Sequence, residues 1–290
     1  MTVLHETVAA KPTAVTGPAR PRETQGQWWR FIVMLIIVVV VLVPVAAVIL
    51  LSVRPGVRSP STAAFTFENF TYVFTSTQTV TWLVNSLMVT VATVIVSVAV
   101  AAPAGYVLSR GRSKAVSGYS LLLFVVQSLP VITSVIPLFI LFAKLQLVDN
   151  LLGLGIIYVG ASMSVAIWMM AAYMDSIPTS LEEAAWIDGA SLFNGFVQIV
   201  LRNSLPGILS TAIFTFLVSW NDYLVALVFL RSQERFTLPI GLQSFFQQNV
   251  TDWGSVMAVA VVMLAPPVIV FGALNKYFSV GGIGGSLAGT

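Results

Sequence analysis

Charged residues interrupt this 290-residue chain so rarely that the gaps between them decide what it can fold into. Uncharged stretches run over 31–53, 69–109, 115–143, 150–174 and 253–275, and a further one, 203–230, is broken only by Asp222. About 20 helical residues cross a hydrocarbon core of about 30 Å, so each stretch is long enough for one crossing. Asn69 to Val80 is rich in Thr, Asn, Gln and Ser and reads as loop, which leaves a single helix near 82–108. The expectation is an all-α membrane protein with six transmembrane helices, at about 31–51, 82–108, 117–143, 151–173, 205–230 and 254–275. Strands of a membrane barrel would be about ten residues long and would alternate apolar with polar; these runs do not alternate. Charged residues make up 9% of the chain and mean hydropathy is +0.93, whereas soluble domains carry about 25% charged residues. A soluble enzyme, a disordered protein and a coiled coil are excluded.

The chain divides into a Pro-, Thr- and Ala-rich tail, 1–27, which reads as disordered, and a transmembrane domain over 28–290. The first apolar run starts at Phe31 and is too long for the apolar segment of a cleaved signal peptide. Cysteine is absent and the one histidine, His5, lies in the tail, so disulfides and thiolate or catalytic zinc sites are not expected. Lys and Arg in short loops set orientation. Placing both termini in the cytoplasm puts Arg20, Arg22, Arg30, Arg110, Arg112, Lys114, Arg202 and Lys276 inside, against Arg54, Arg58, Lys144, Arg231 and Arg235 outside.

The loop 174–204 is then cytoplasmic and carries Asp175, Glu182, Glu183 and Asp188 against Arg202 alone. Ser180 with Glu183 three residues on fits a capping box, Pro178 suits a helix entry and Gly189 suits a left-handed exit. At 100° per residue Leu181, Ala184, Ala185 and Asp188 share one face, and Glu182 and Trp186 another. A second short helix near 191–200 brings Phe193, Phe196, Val197 and Val200 to one flank before Leu205-Pro206 opens the next crossing. The small-residue face is shaped for close approach by another helix or backbone.

These residues carry a family resemblance. Ile177-Pro178, Leu181, Glu183-Ala184-Ala185, Asp188-Gly189-Ala190, Phe196, Ile199 and Leu201 resemble the EAA loop of permease subunits of binding-protein-dependent ABC importers. One position departs: Arg202 stands where that family commonly has proline, while Pro206 falls where a later family proline usually lies. Ser219-Trp220-Asn221-Asp222-Tyr223, Thr237-Leu238-Pro239 with Gly241-Leu242, and the tail from Tyr277-Phe278 through Gly281, Gly282, Gly285 and Gly289 are similar to the carbohydrate-importing branch that includes maltose permeases. The resemblance spans roughly 80–290. It implies two permease subunits that together form the path, two copies of a cytoplasmic ATP-binding subunit, and an extracytoplasmic sugar-binding protein. It also implies that Glu182, Glu183, Ala184, Ala185, Asp188 and Gly189 form the ATPase-coupling helix, with Glu183 meeting a basic groove residue and the alanines and Gly189 allowing close approach. The glycine-rich end, 281–289, is either a flexible terminus or a reach toward the ATPase.

What the chain lacks agrees with an external engine. None of Lys11, Lys114, Lys144 and Lys276 follows glycine, so no phosphate-cradling Gly-Lys-Ser/Thr loop exists. No catalytic residue and no cofactor is expected on this chain, ATP and magnesium being used by the partner. An ion-coupled carrier needs ionisable groups within the bilayer, and Asp222 stands alone. That carrier is the alternative reading, and a membrane-embedded enzyme a weaker one.

Asp222, with Trp220, Asn221 and Tyr223, reads either as a wall of the substrate path or as a structural hydrogen bond between helices. Aromatic faces stack on sugar C–H surfaces, and Asn and Asp bond hydroxyls. Asn85 and Gln127 are similar polar residues in apolar runs, for which helix–helix hydrogen bonds are expected. With no Lys or Arg deep in any span, a neutral mono- or oligosaccharide fits better than a phosphorylated or carboxylated solute. Pro130 and Pro137 either bend the third helix around a cavity or serve packing.

Overall fold

The computed structural model describes residues 27–56, 63–246 and 251–282, the side chains of Gln27, Val131 and 275–282 excepted. The tail bearing His5, Arg20 and Arg22, the residue Arg58, and 283–289 of the glycine-rich end lie outside the described residues. The chain forms two units, 1–47 and 48–290. The described part of the first is most of helix α1 (Gln27–Ser52), an apolar rod that includes Pro44 and sets Trp28 edge-on to Phe31 at 6.4 Å.

In the second unit α2 (Glu68–Thr75) leads into α3 (Thr79–Arg110), which runs unbroken through Pro103. Then come α4 (Lys114–Ser128), α5 (Val131–Lys144) and α6 (Leu151–Asp175). The short α7 (Ser180–Ile187) and α8 (Leu192–Asn194) follow, the latter continuing as a π-helical segment, Gly195–Leu201. The chain ends with α9 (Leu205–Trp220), α10 (Leu224–Phe229), a 3-10 turn (Gln233–Arg235), α11 (Leu238–Gln243) and α12 (Trp253–Gly282). Among the described residues four segments are long and apolar enough to cross a bilayer singly: Trp28–Ser52, Thr79–Arg110, Leu151–Asp175 and Trp253–Leu274. Two bent pairs, Lys114–Ser128 with Ile132–Lys144 and Leu192–Leu201 with Leu205–Trp220, bring the total to six if each pair is one crossing.

Two expected helices are therefore not continuous. The run 117–143 folds into α4 and α5 at 97°. Pro130 has no amide to donate and pushes Leu129 into extended backbone (φ −77°, ψ 123°). Val126 O, which an amide at 130 would have served, takes the Leu129 amide at 3.3 Å instead, and hydroxyls add bonds beside the break: Ser128 donates to Phe124 O at 2.8 Å and Thr133 to Pro130 O at 2.7 Å. Membrane helices tolerate prolines on these terms. The run 205–230 stops at Trp220 and resumes at Leu224.

The core is the packing of α3 with α6 and α9, and it depends on small residues because lipid offers no hydrophobic drive for helix association. On α3, Thr93, Ser97, Ala101, Gly105 and Ser109 recur every four residues and are all buried. A Cβ on Gly105 would stand 2.7 Å from Met170 Cβ and 3.0 Å from the Ala171 amide nitrogen, so the two backbones touch there. Higher up, the hydroxyls of Ser97 and Ser162 share a 3.1 Å hydrogen bond. Against α9, the ring of Tyr173 fills the space where Gly207 lacks a side chain.

Candidate functional site

The first candidate is the segment joining α6 to α9. The α6 end is buried at Met174 and Ile177, and α7 opens with a tight turn, Glu182 N bonding Thr179 O at 2.9 Å. Thr179 occupies the cap position in helical backbone and its side chain makes no capping bond. The expected Ser180–Glu183 capping box is therefore absent, since Ser180 already lies inside the helix. Glu182 and Glu183 both sit in the first turn, where the exposed amide dipoles favour negative charge.

The two glutamates separate in role. Glu182, grouped by the sequence with the docking residues, is 1% exposed. Arg110 donates to its Oε1 from Nε at 2.8 Å and Nη2 at 2.7 Å, and the Tyr106 hydroxyl donates to Oε2 at 2.7 Å. Glu183, Ala184 and Asp188 are exposed and Ala185 is half-buried. Beside them stand apolar side chains the sequence reading did not assign to the contact: Ile187 is 87% exposed, Leu192 69% and Phe193 71%. Leu181 and Trp186 are also open.

Gly189 has φ +90°, with Ala190 N bonding Ala185 O at 2.9 Å across the helix end. Nothing lies within 4 Å of where its Cβ would be. Within this chain its requirement is conformational rather than spatial. Ser191 caps the next turn by accepting from Asn194 N at 3.2 Å. Gly195 lies under the Trp186 indole, and Phe196 packs on Tyr106 with ring centres 4.8 Å apart. The bend of 74° into α9 forms without a proline at 202; Ser204 N bonds both Val200 O and Leu201 O, and Pro206 enters the first turn of α9.

The second candidate is the break at Asn221–Tyr223. Asp222 Oδ2 accepts the Tyr158 hydroxyl at 2.7 Å and the Ala226 amide at 3.0 Å. It thus serves one of the open amides that begin α10 while tying the break to α6. Trp220 is buried, stacked on Phe216 at 5.6 Å and donating from Nε1 to Met263 O at 3.1 Å. Asn221 is exposed and bonds Leu217 O, and Tyr223 is half-buried. Asn85 does not bridge two helices: its amide donates to Glu234 O and Phe236 O, each at 2.9 Å, fixing a loop. Gln127 lies apart, lining a cavity of about 310 Å³ with Ser134, Gly160 and Ser164. The six polar and aromatic candidates are thus not one constellation.

The loop that ends in Asp149 is pinned to the segment after α10. Asp149 Oδ1 accepts the amides of Arg231 and Ser232, the Ser232 hydroxyl donates to Oδ2, and Asp149 N bonds Phe229 O at 2.8 Å. Burial pushes this carboxyl upward, but the Ser232 hydroxyl, the two amides and the Arg235 charge outweigh it and hold the group below its ordinary 3.8. Among the described residues no group of three or more His, Cys, Asp or Glu side chains could hold a metal ion.

Comparison with known proteins follows the same lines. Residues 97–280 match the model of the family described as binding-protein-dependent transport system inner membrane component. The arabinooligosaccharides transport system permease protein AraQ of Halalkalibacterium halodurans is 32% identical over 82% of this chain and 89% of its own length. The maltodextrin transport system permease protein MalD of Streptococcus pneumoniae is 28% identical over 80% of this chain and 86% of its own. A chain from the crystal structure of a bacterial ABC transporter involved in the import of the acidic polysaccharide alginate is similar in fold, with TM-score 0.73 and 24% identity, covering 90% of this chain and all of that one.

Proposed function

Because the chain belongs to the binding-protein-dependent transport system inner membrane components, as a multi-pass ABC permease subunit, we propose that its cargo is a neutral sugar or oligosaccharide. It forms half of the translocation path beside a second permease. An extracytoplasmic sugar-binding protein delivers the cargo, and two copies of a cytoplasmic ATPase supply the energy. The chain itself catalyses nothing and binds no cofactor, ATP and magnesium belonging to the ATPase. Both termini lie in the cytoplasm of a bacterial cell whose inner membrane the subunit crosses.

The observation that carries this reading is the exposed face of α7 and the turn after it. Glu183 and Asp188 offer charge there, and Ile187, Leu192 and Phe193 offer apolar area that no element of the chain covers among the described residues. An ATPase groove with an apolar floor and a basic rim is its complement. When the ATPases close on ATP, the docked helices are carried with them and the packed spans turn from inward- to outward-facing as rigid bodies. The sugar assignment draws on the arabinooligosaccharide and maltodextrin relatives and on the lack of Lys and Arg within the apolar runs.

The test is uptake into vesicles holding both permeases and the ATPase, with binding protein outside and a panel of neutral and acidic saccharides. Uptake of a neutral saccharide that stops when ATP is withdrawn is expected. Uptake by this chain alone, abolished by a protonophore while ATP remains, would replace this reading with an ion-coupled carrier.

A further inference from the structure

We infer that Arg110 and Glu182 are positioning residues that weld the coupling helix to the two central spans, so that force applied at α7 moves α3 and α6 together. This rests on the reading of α7 as the ATPase-docking helix. Arg110 ends α3, and each of its guanidinium N–H groups has an acceptor. Nε and Nη2 meet Glu182 Oε1; Nη1 meets Ser109 Oγ and Met174 O, both at 3.0 Å; Nη2 also meets Ile177 O at 3.1 Å. One side chain therefore gathers the last turn of α3, a carbonyl at the end of α6 and one just beyond it, and the first turn of α7.

Neighbouring bonds repeat the linkage. Ser109 Oγ donates to Asp175 Oδ1 at 2.6 Å, closing α3 on α6, and Tyr106 holds the other oxygen of Glu182. The Arg110 side chain is 18% exposed and that of Glu182 2%, so water cannot replace either partner cheaply. Removing one leaves the other charge buried and unpaired. A lysine at 110 could keep the charge but has no planar fork with which to hold a carboxylate and two carbonyls at once. The docking face proper, Glu183 with Ile187 and Phe193, points away from this joint and is free to meet a partner.

The test uses the assembled transporter in vesicles with Arg110→Gln, Glu182→Gln and Arg110→Lys. Retention of the ATPase on the permease should stay within about two-fold of the parent, because the docking face is intact. Uptake per ATP hydrolysed should fall about ten-fold in the two glutamine variants, a size ordinary for coupling between sites, with Arg110→Lys in between. An independent readout needs no transport. Spin labels on Val107→Cys and Ser180→Cys, both exposed positions outside the docking face in a chain without cysteine, should report one narrow distance with and without ATP. That distance should broaden when Arg110→Gln is added.

Unchanged uptake per ATP with an unchanged distance distribution overturns the inference. Failure of all three variants to reach the membrane also overturns it, since the pair would then serve folding alone. Failure of the underlying reading looks different: Ile187→Asp that keeps the ATPase fully bound defeats the docking assignment whatever the Arg110 variants do.

Discussion

Tyr158 and Asp222, 64 positions apart, are joined by a 2.7 Å hydrogen bond to the same carboxylate oxygen that accepts the Ala226 amide. That oxygen holds the interruption between α9 and α10 against the first third of α6. Asp222→Ala strands two buried donors, and each unsatisfied group costs about 1–3 kcal/mol. We expect a clear fall in the thermal midpoint of the detergent-solubilised protein for Asp222→Ala, and smaller falls for Asp222→Asn and Tyr158→Phe. A raised KM for sugar in Asp222→Asn with an unchanged midpoint would instead make the carboxylate part of the path.

Gly189 gives an ordered series. Its φ of +90° strains any side chain although the space around it is open. Asn, which adopts positive φ more readily than other residues, should be milder than Ala, and Val worst, over a range of about 1–3 kcal/mol. Gly189→Asp should release the ATPase and abolish uptake while the permease stays in the membrane. Co-purification of the ATPase with each variant ranks them.

The apolar tip should behave as an interface and not as core. Ile187→Asp and Phe193→Asp place charge where side chains are already solvated, so the midpoint of the isolated subunit should not move. ATPase retention should drop at least about ten-fold, equivalent to about 1.4 kcal/mol. Glu183→Lys should weaken retention in low salt and less so in high salt, as screening requires.

Asp149 makes the loop before α6 sensitive to acid. Its carboxyl titrates below the ordinary 3.8 when folded, so its stabilising contribution is complete above that value and is lost as pH falls through the lowered one. Protection of the Arg231 and Ser232 amides, exchange being taken relative to its intrinsic rate at each pH, should therefore hold at neutral pH and fall only in strong acid. Asp149→Asn should exchange faster at neutral pH and lose the acid-dependent step.

The apolar runs were legible because charge at their borders is a property of single positions. The elbow at Leu129–Pro130 was not, since a proline in an apolar run can bend, kink or merely pack, and the local hydroxyls that stabilise the bend look like ordinary serine and threonine. Gly189 was legible, for a positive φ at a helix end has few solutions. The burial of Glu182 was hidden because its partner lies 72 positions away, at the end of α3, among arginines that had already found a use in setting topology. A helical wheel separates Glu182 from Ala184 and Ala185 but cannot say which face turns inward. Asn85 was misread for a related reason, and the choice at Trp220 was left open for the same one: each pairs with a backbone carbonyl far along the chain, and backbone partners leave no trace in residue identity.

The seat of Gly105 on Met170 and Ala171 divides α3 unequally. Arg110 stands five residues beyond it, about 7.5 Å at 1.5 Å per residue, while Thr79 stands 26 residues before it, about 39 Å. Ser97 with Ser162 on one side of that seat and Ser109 with Asp175 on the other clasp the two helices into one beam, so any tilt is shared by both and is widest at the distant tip.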